Sequence, residues 1–489
     1  MIAGSSVVLI NPSAPAHLPN KEFVLPLSLL YLAATLEKAG FDVKILDLNI
    51  FRAWERRHWP GDWWKPHVLA QIEACRPLFV GIGCLYSGQF NLLRRIARYV
   101  KELDSTVPVV IGGMHPTVFA SEIISHCQEI DYVAIGEGEP QIVALARFLR
   151  GGTPKPLDTV DGLAMRREGR LSIRPKQNFL RNLDQLPPPA YPRIDFQDYE
   201  HDTRHWHNPK RHRFNLSVPL ISSRSCPNRC SFCSMYQVMG PKLRKRSATA
   251  VVDEIQQLYE GHGLTHFSFM DDNLNLNKKH ILAICGEILR RNIDIQYETP
   301  NGLSTAHLDE EIMDAMAASG WVRGAIAIES GSDYIRNEIM GKRLPRERIF
   351  RVVHYAKRLP QLYLKAYFVI GMPEETHGSL DETYRMIADL ELDEAYVTNL
   401  MPFAGTKVFQ QAVRDGLLDK SIDLANLWKT DGFHYHDNHR FYIKPYNMGF
   451  SELSAWRRKF DALLQASGRK SKRMDDPNVQ PLHKTTRTA

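Results

Sequence analysis

The sequence predicts an α/β protein, with a flavodoxin/Rossmann-like N-terminal domain followed by a partial TIM-like (β/α)6 barrel and a C-terminal cap. Its 489 residues exceed what one hydrophobic core accommodates, so two or three domains are expected. Residues 1–150 alternate short apolar runs with helical patterns, which is typical of a parallel, doubly wound sheet. Six further strand–helix repeats follow from residue 217 onward and predict the barrel.

The first domain, residues 1–150, is predicted to contain five strands, at residues 7–10, 43–46, 78–82, 107–111 and 132–135. Helices are predicted at residues 27–38, 92–103 and 142–149. Sheets of this kind bind ligands beyond the carboxyl ends of their strands. The candidate binding residues are therefore those at the strand ends: Asn11, Asp47, Cys84, Leu85, Gly112, Gly113, His115, Gly136 and Glu137.

A linker is predicted over residues 151–215, where a proline run at 186–192 acts as a semi-rigid spacer. The barrel core is predicted over residues 216–406, with strands at 218–222, 266–270, 293–298, 324–328, 364–370 and 394–398. Residues 407–465 are expected to cap its cavity. The polar tail, residues 466–489, is expected to be disordered.

Three cysteines follow the first barrel strand. Cys226, Cys230 and Cys233 have the spacing C-x3-C-x2-C, and the aromatic Phe232 precedes the last of them. Three thiolates so close in sequence can each bind one iron of a four-iron cluster and leave the fourth iron open. The alternatives are a zinc site, which needs a fourth ligand that the next residues do not supply, or three unrelated thiols.

At these residues the chain resembles the radical S-adenosylmethionine (SAM) enzymes. The resemblance implies that the open iron chelates the amino and carboxylate groups of SAM and that Phe232 lies beside the adenine. It also implies that Asp272 and Glu329 accept hydrogen bonds from SAM, that Ser330 contacts its carboxylate or ribose, and that Gly371 belongs to an adenine-side turn. For Asp272 and its neighbour Asp271, the alternative is helix capping.

The glycine-rich strand ends of the first domain resemble the cobalamin-binding domain that precedes the barrel in one large radical SAM subfamily. The resemblance implies three cofactors: cobalamin, a [4Fe-4S] cluster and SAM. Where a cobalt-binding histidine would follow the second strand, the chain has Asp47-Leu48-Asn49. The resemblance therefore implies cobalamin that is bound with its own base displaced and without a protein imidazole on cobalt.

The runs 242–247 and 327–331 resemble those of cobalamin-dependent methylases of natural-product pathways, among them the fosfomycin-pathway phosphonate methylase. This implies a radical SAM methyltransferase that methylates an unactivated carbon of a small natural-product, lipid or secondary-metabolite intermediate, in antibiotic biosynthesis for example. The alternatives are a cyclase or rearrangement enzyme of the tetrapyrrole type, an RNA methylthiotransferase, and a non-catalytic cobalamin or redox sensor. The methylthiotransferase would need a second cysteine set, and Cys75, Cys84 and Cys127 are not clustered.

The composition is that of a globular protein, with 44% hydrophobic and 24% charged residues. No apolar run is long enough to span a bilayer, and seven cysteines without a disulfide pattern suit a reducing compartment, so a cytoplasmic protein is expected. The expected partners are a small-molecule substrate and an electron donor such as flavodoxin or ferredoxin. Despite a net charge of +7, no RNA-binding signature is present and nucleic acid is not an expected partner.

Two aromatic segments allow more than one interpretation. Trp54, Trp59, Trp63 and Trp64 either form an apolar wall near the corrin or the domain interface, or pack into a loop with its own small core. In the cap, Trp428, His434, Tyr435 and His436 either select the substrate or belong to the core. Arg244 and Arg246 either meet anionic groups or are surface charges.

Overall fold

The computed structural model describes residues 6–13, 24–51, 61–152, 156–167, 169–200, 210, 212, 216–429 and 440–469. The chain forms two large sheets with helices packed against them, and the predicted α/β class is confirmed. Trp54, Trp59, His434, Tyr435 and His436 lie outside the described residues, as does the tail from residue 470.

The first sheet has seven strands in the order β2-β1-β3-β4-β5-β6-β7. They are β1 Ser6–Asn11, β2 Asp42–Asp47, β3 Val80–Gly83, β4 Val109–Gly112, β5 Tyr132–Ala134, β6 Leu163–Arg167 and β7 Arg170–Ile173. The helices around it are α1 Leu27–Lys38, α2 Lys65–Cys75, α3 Phe90–Leu103, α4 Met114–Val118, α5 Ala120–His126 and α6 Glu139–Leu149.

The first five strands are parallel and have the flavodoxin order 2-1-3-4-5. Their centre is apolar because helices cover both faces, and Val7, Val8, Leu9 and Ile10 of β1 are all buried. The strand order reverses between β1 and β3. Ligands of such sheets bind at this switch point, beyond the carboxyl ends of the strands.

The predicted linker contributes to the first sheet, which is a correction of its boundaries. Strands β6 and β7 form an antiparallel hairpin, and β6 pairs antiparallel with β5. Leu163 and Met165 are buried there. The hairpin covers an edge that β5 would otherwise expose, which explains why residues inside the linker range fold with the first domain.

The second sheet is a six-stranded parallel partial barrel in the order β15-β14-β13-β12-β11-β8. Its strands are β8 Val218–Leu220, β11 His266–Phe269, β12 Gln296–Leu303, β13 Trp321–Glu329, β14 Tyr363–Ile370 and β15 Glu394–Asn399. A two-stranded ribbon, β9 Ser223–Arg224 and β10 Arg244–Lys245, flanks the cysteine segment. All six predicted barrel strands are present.

The helices of the second half are α7 Met235–Met239, α8 Ala248–His262, α9 Lys278–Arg290, α10 Glu310–Ala318, α11 Arg346–Ala356, α12 His377–Asp389, α13 Lys407–Arg414 and α14 Phe450–Ala466. A π-helix spans Tyr334–Ile339. In the described parts of the chain, no helix combines the length and the apolar character needed to cross a membrane.

Strand β12 extends further than the sequence predicts. Its pairing with β13 shifts register between Thr299 and Leu303, around Pro300, which has no N–H to donate. A proline is tolerated at such an irregularity, so the strand continues past it. As a result Asn301 and Gly302 belong to the strand rather than to a following loop.

Candidate active site

One cavity of about 1520 Å³ lies between the carboxyl ends of the two sheets. It exceeds the roughly 300–1,000 Å³ of ordinary small-molecule sites. Residues of both domains line it: the three cysteines come from the barrel side, and the ends of β1, β3, β4 and β5 come from the first sheet. The cavity is therefore large enough for more than one small ligand, and both domains contribute to its walls.

The three cysteines share one wall of this cavity, and their thiols are free. Their loop is held by two backbone bonds: Ser231 N donates to the Met340 carbonyl (3.2 Å), and Val408 N donates to the Ser231 carbonyl (3.0 Å). Burial raises the pKa of the Cys233 thiol to about 11 and also raises that of Cys230, and neighbouring cysteines add to both shifts. A cationic ligand that binds thiolates would reverse these shifts.

The cysteine set suits a cluster rather than a structural zinc site. A structural zinc ion takes four protein ligands, whereas three thiolates can each bind a different iron of a four-iron cluster. Cys226, Cys230 and Cys233 all line the cavity.

The adjacent carboxylates of Asp271 and Asp272 have different surroundings. Asp271 is buried and accepts hydrogen bonds from the hydroxyls of Ser222 (2.7 Å) and Ser223 (2.5 Å), away from the cavity lining. Asp272 lines the cavity and accepts the backbone N–H of Ser225 at 2.8 Å. Burial raises the pKa of Asp272 to about 6. Neither aspartate caps a helix, because the N-cap of α9 is Asn277.

Glu329 lines the cavity at the end of β13, with a left-handed φ of +72° that is unusual for a residue other than glycine. The Lys342 ammonium lies 2.8 Å from its carboxylate and lines the same cavity. Burial disfavours the charge of Lys342, but Glu329 raises its pKa above the ordinary value. Lys342 was not predicted from the sequence, since nothing in its spacing distinguishes it from a surface lysine.

Phe232 lines the cavity and packs against the apolar cluster that contains Met340, Met372 and Val408. Ser330 and Gly371, two other predicted contacts, do not reach the cavity lining. The Ser330 hydroxyl bonds to that of Thr383 on α12 (3.2 Å), and Gly371 N donates to the Glu375 carboxylate. These hydrogen bonds hold the loops after β13 and β14 in place outside the cavity lining.

Most of the predicted strand-end residues of the first domain line the cavity, namely Asn11, Cys84, Leu85, Gly112, Gly113, His115, Gly136 and Glu137. Leu85 is unusual because it is 68% exposed although it is apolar. Asp47 is the exception. It is buried outside the lining and accepts hydrogen bonds from Asn11 Nδ2 (2.9 Å) and the Tyr199 hydroxyl (2.9 Å), so it anchors the linker segment to the sheet.

Gly113 explains why glycine follows β4. Its φ is +117°, and a Cβ built on it would lie 2.2 Å from the Cys84 carbonyl oxygen. The neighbouring loops are this close because Cys84 N donates to the Gly112 carbonyl (2.8 Å). Any side chain at position 113 would therefore push these two loops of the cavity wall apart.

His115 lines the cavity, yet both of its ring nitrogens are engaged. Nδ1 lies 3.0 Å from the Ser87 hydroxyl, and Nε2 lies 3.0 Å from the Trp428 carbonyl of the C-terminal segment. Burial lowers the pKa of His115 to about 3, so the ring is neutral. It connects the first domain to the cap rather than offering a free nitrogen to a ligand.

This geometry predicts cobalamin without protein nitrogen on cobalt. We expect cobalamin's own base to be displaced as well, so electron paramagnetic resonance of the cob(II)alamin form of the purified protein should show no nitrogen superhyperfine splitting. The engaged ring of His115 and the Leu48-Asn49 sequence after β2 are the reasons. A nitrogen-split signal that disappears in a His115→Ala variant would contradict this prediction.

Glu137, which lines the cavity, also belongs to a buried ion-pair network between the domains. Its carboxylate lies 3.1 Å from Arg224 and 2.6 Å from Arg244, and Arg224 also pairs with Glu139 at 2.6 Å. Arg246 pairs with Glu254. The arginines of positions 244 and 246 are therefore neither surface charges nor free anion-binding groups.

The tryptophans divide between the two interpretations. Trp63 lines the cavity, whereas Trp64 is 1% exposed in the core of the first domain. Trp64 packs edge-on against Tyr99 and under the guanidinium of Arg95. Trp428 is also buried, in the core of the first domain, and accepts the His115 bond through its carbonyl.

Two family models match the chain. The B12 binding domain matches residues 21–146, and the Radical SAM superfamily matches residues 220–387. These ranges contain the loops after β2, β3, β4 and β5 and the three cysteines. Both matched domains thus contribute residues to the cavity lining.

Relatives of similar sequence include methyltransferases and a cyclase, the anaerobic magnesium-protoporphyrin IX monomethyl ester cyclase of Rubrivivax gelatinosus, which is 23% identical over 79% of this chain and 66% of its own. The cytidylyl-2-hydroxyethylphosphonate methyltransferase of Streptomyces wedmorensis is 27% identical over 87% of this chain and 85% of its own. An uncharacterized methyltransferase of Pyrococcus horikoshii is 28% identical over 80% and 79%. The solved structure of TsrM from Kitasatospora setae, a radical SAM methyltransferase, has the same fold, with a TM-score of 0.76 and 19% identity over 96% and 90% of the chains.

Family models thus match both predicted domains. The chain is a B12-binding radical SAM enzyme, similar in its domain organisation to radical SAM methyltransferases, with cobalamin, a [4Fe-4S] cluster and SAM as its cofactors.

Proposed function

We propose that this enzyme transfers a methyl group to an unactivated carbon of a small natural-product, lipid or secondary-metabolite intermediate. The observation that carries the proposal is the single cavity lined by the cysteine loop and by the strand ends of the B12-binding domain. A shared cavity allows a substrate to contact both cofactors without leaving the protein.

When bound, the cluster and SAM supply a 5′-deoxyadenosyl radical that removes hydrogen from carbon, and cobalamin supplies the methyl group. The protein's own task is to bind and orient. Asp272 offers an acceptor for the SAM ammonium, and Phe232 an apolar surface for the adenine. Lys342, fixed by Glu329, offers a cation for the SAM carboxylate.

The loop after β15 supports a role in enclosing the substrate. Met401, Phe403 and Ala404 line the cavity. The loop is attached to α7, directly after the cluster cysteines, because Gln237 Nε2 donates to the Ala404 carbonyl at 3.1 Å. A wall held in this way encloses the substrate and limits side reactions of a reactive carbon centre. The electron that starts the reaction is proposed to come from a flavodoxin or ferredoxin.

The proposal is tested by incubating the reconstituted enzyme with SAM, a reductant, cobalamin and candidate substrates. The first candidate is cytidylyl-2-hydroxyethylphosphonate, which the name of the Streptomyces relative gives as its substrate. Two SAM molecules are used per methylation, one as methyl donor and one as radical source. S-adenosylhomocysteine and 5′-deoxyadenosine should therefore accumulate in equal amounts with methylated product.

The alternatives give different product patterns. A cyclase or rearrangement enzyme would form 5′-deoxyadenosine without S-adenosylhomocysteine coupled to product. An RNA methylthiotransferase would modify RNA rather than a small molecule, and a sensor would bind cobalamin without cleaving SAM. Any of these patterns, obtained with the substrate that the enzyme turns over, would replace the methylase proposal.

A further inference from the structure

Asn273 contacts one of the cluster cysteines. It directly follows the two aspartates at the end of β11, is only 5% exposed, and lines the cavity. Its side-chain Nδ2 lies 3.4 Å from the Sγ atom of Cys226, within hydrogen-bonding distance for a sulfur acceptor. This amide is a donor to a cluster cysteine from outside the cysteine loop.

The position of Asn273 is fixed by its neighbours. Asn301 on β12 donates to the Met270 carbonyl at 2.9 Å, just before the aspartates. On the other side, the Asn275 side chain donates a hydrogen bond to the Ser304 carbonyl (3.0 Å) and accepts one from the Ser304 backbone N–H (2.8 Å). Asn273 lies between these two attachments, so its side chain starts from a rigid backbone.

The orientation of the amide follows from the chemistry of sulfur. A thiolate only accepts hydrogen bonds, so the NH2 group must face Cys226 and the carbonyl oxygen must face away. This leaves Oδ1 of Asn273 buried without a partner among the described residues. An unsatisfied buried acceptor is costly, and such exceptions occur where function requires them.

We propose that Asn273 is a positioning residue that tunes the cluster through the Cys226 sulfur. Reduction adds one electron, taken from the external reductant, and increases the negative charge on the thiolates. A hydrogen bond to sulfur stabilises the reduced form more than the oxidised form and raises the reduction potential. The inference is independent of the reaction proposed above, because any radical SAM enzyme must reduce its cluster.

The test is a potentiometric titration of the reconstituted holoenzyme, followed by the electron paramagnetic resonance signal of the reduced cluster. Asn273→Leu removes the donor at similar volume. It should lower the midpoint potential by up to ~59 mV, which for one electron is a tenfold change in the ratio of reduced to oxidised cluster. Asn273→Asp, which also adds a negative charge, should lower it at least as much.

Asn91→Leu is the matched control, because Asn91 lines the same cavity from α3 of the first domain and belongs to neither of the attachments that hold Asn273. It should leave the midpoint potential of the cluster unchanged. An Asn273→Leu protein with full iron content and the wild-type potential would overturn the proposal, and so would an equal shift in Asn91→Leu.

A second measurement uses the unmutated enzyme and does not depend on cluster assembly in the variants. Selective ¹⁵N labelling of asparagine side chains should produce a ¹⁵N coupling in the pulsed resonance spectrum of the reduced cluster. A reduced cluster without such coupling would show that the amide does not bond to a cluster sulfur, and would overturn the inference.

Discussion

A variant with alanine at Cys226, Cys230 and Cys233 should contain no cluster iron and should not cleave SAM. These three thiols line the cavity, and the Cys84 thiol, which also lines it, comes from the loop after β3 of the first sheet. Iron analysis and the visible absorbance of the anaerobically reconstituted protein measure the effect.

The control is the variant Cys75→Ala, which removes a half-buried thiol that donates to the Gln71 carbonyl in its own helix and does not line the cavity. Its iron content and absorbance should equal those of the unmutated enzyme. A triple variant that retained the cluster absorbance would show that the ligands lie elsewhere and would refute the assignment of the site.

Replacing Glu137 with alanine should destabilise the protein by about 3–5 kcal/mol, the usual cost of leaving a buried charge without its partner. Glu137 accepts hydrogen bonds from Arg224 and Arg244, whose side chains are 7% and 8% exposed. Without it, Arg244 loses its recorded acidic partner, while Arg224 keeps Glu139. The midpoint of urea unfolding of the apoprotein measures the change.

Glu122→Ala is the control, because Glu122 is exposed on α5 and its carboxylate has no recorded partner among the described residues. Its unfolding midpoint should move by no more than the roughly 0.5 kcal/mol typical of surface changes. If Glu137→Ala unfolded at the same urea concentration as this control, the network would not hold the domains together as described.

The two sheets were predictable because parallel strands buried on both faces are continuous apolar runs. Strand β1 is such a run, and the glycine and polar residues at the strand ends indicated the side of the sheet that faces the cavity. The hairpin β6–β7 was harder to predict as part of the first sheet. It pairs with β5 because β5 would otherwise be an unpaired edge of the sheet, and the local sequence does not indicate which strand lies at an edge.

The three cavity cysteines were predictable as a group because their spacing is local, whereas the network around them is not. Glu137 and Arg244 are 107 residues apart, and only the folded arrangement of the two domains brings them together. For the same reason, Ser330 seemed a cavity residue beside Glu329, although its side chain points to Thr383 on α12. A strand end gives the position of a residue but not the direction of its side chain.

Asn273 and Lys342 were missed for a related reason. Asparagine after a strand is common in turns, and a single lysine in a loop is usually a solvated charge. Only their distances, 3.4 Å from Asn273 to the Cys226 sulfur and 2.8 Å from Lys342 to Glu329, distinguish them from such residues.

The most direct test of methyl transfer uses SAM with a deuterated methyl group, together with the substrate that the enzyme turns over. We expect the label on an sp3 carbon of the product, found by mass spectrometry and nuclear magnetic resonance, with one S-adenosylhomocysteine and one 5′-deoxyadenosine formed for each labelled product. Turnover that consumes SAM and changes the substrate without transferring the label would contradict the methylase account.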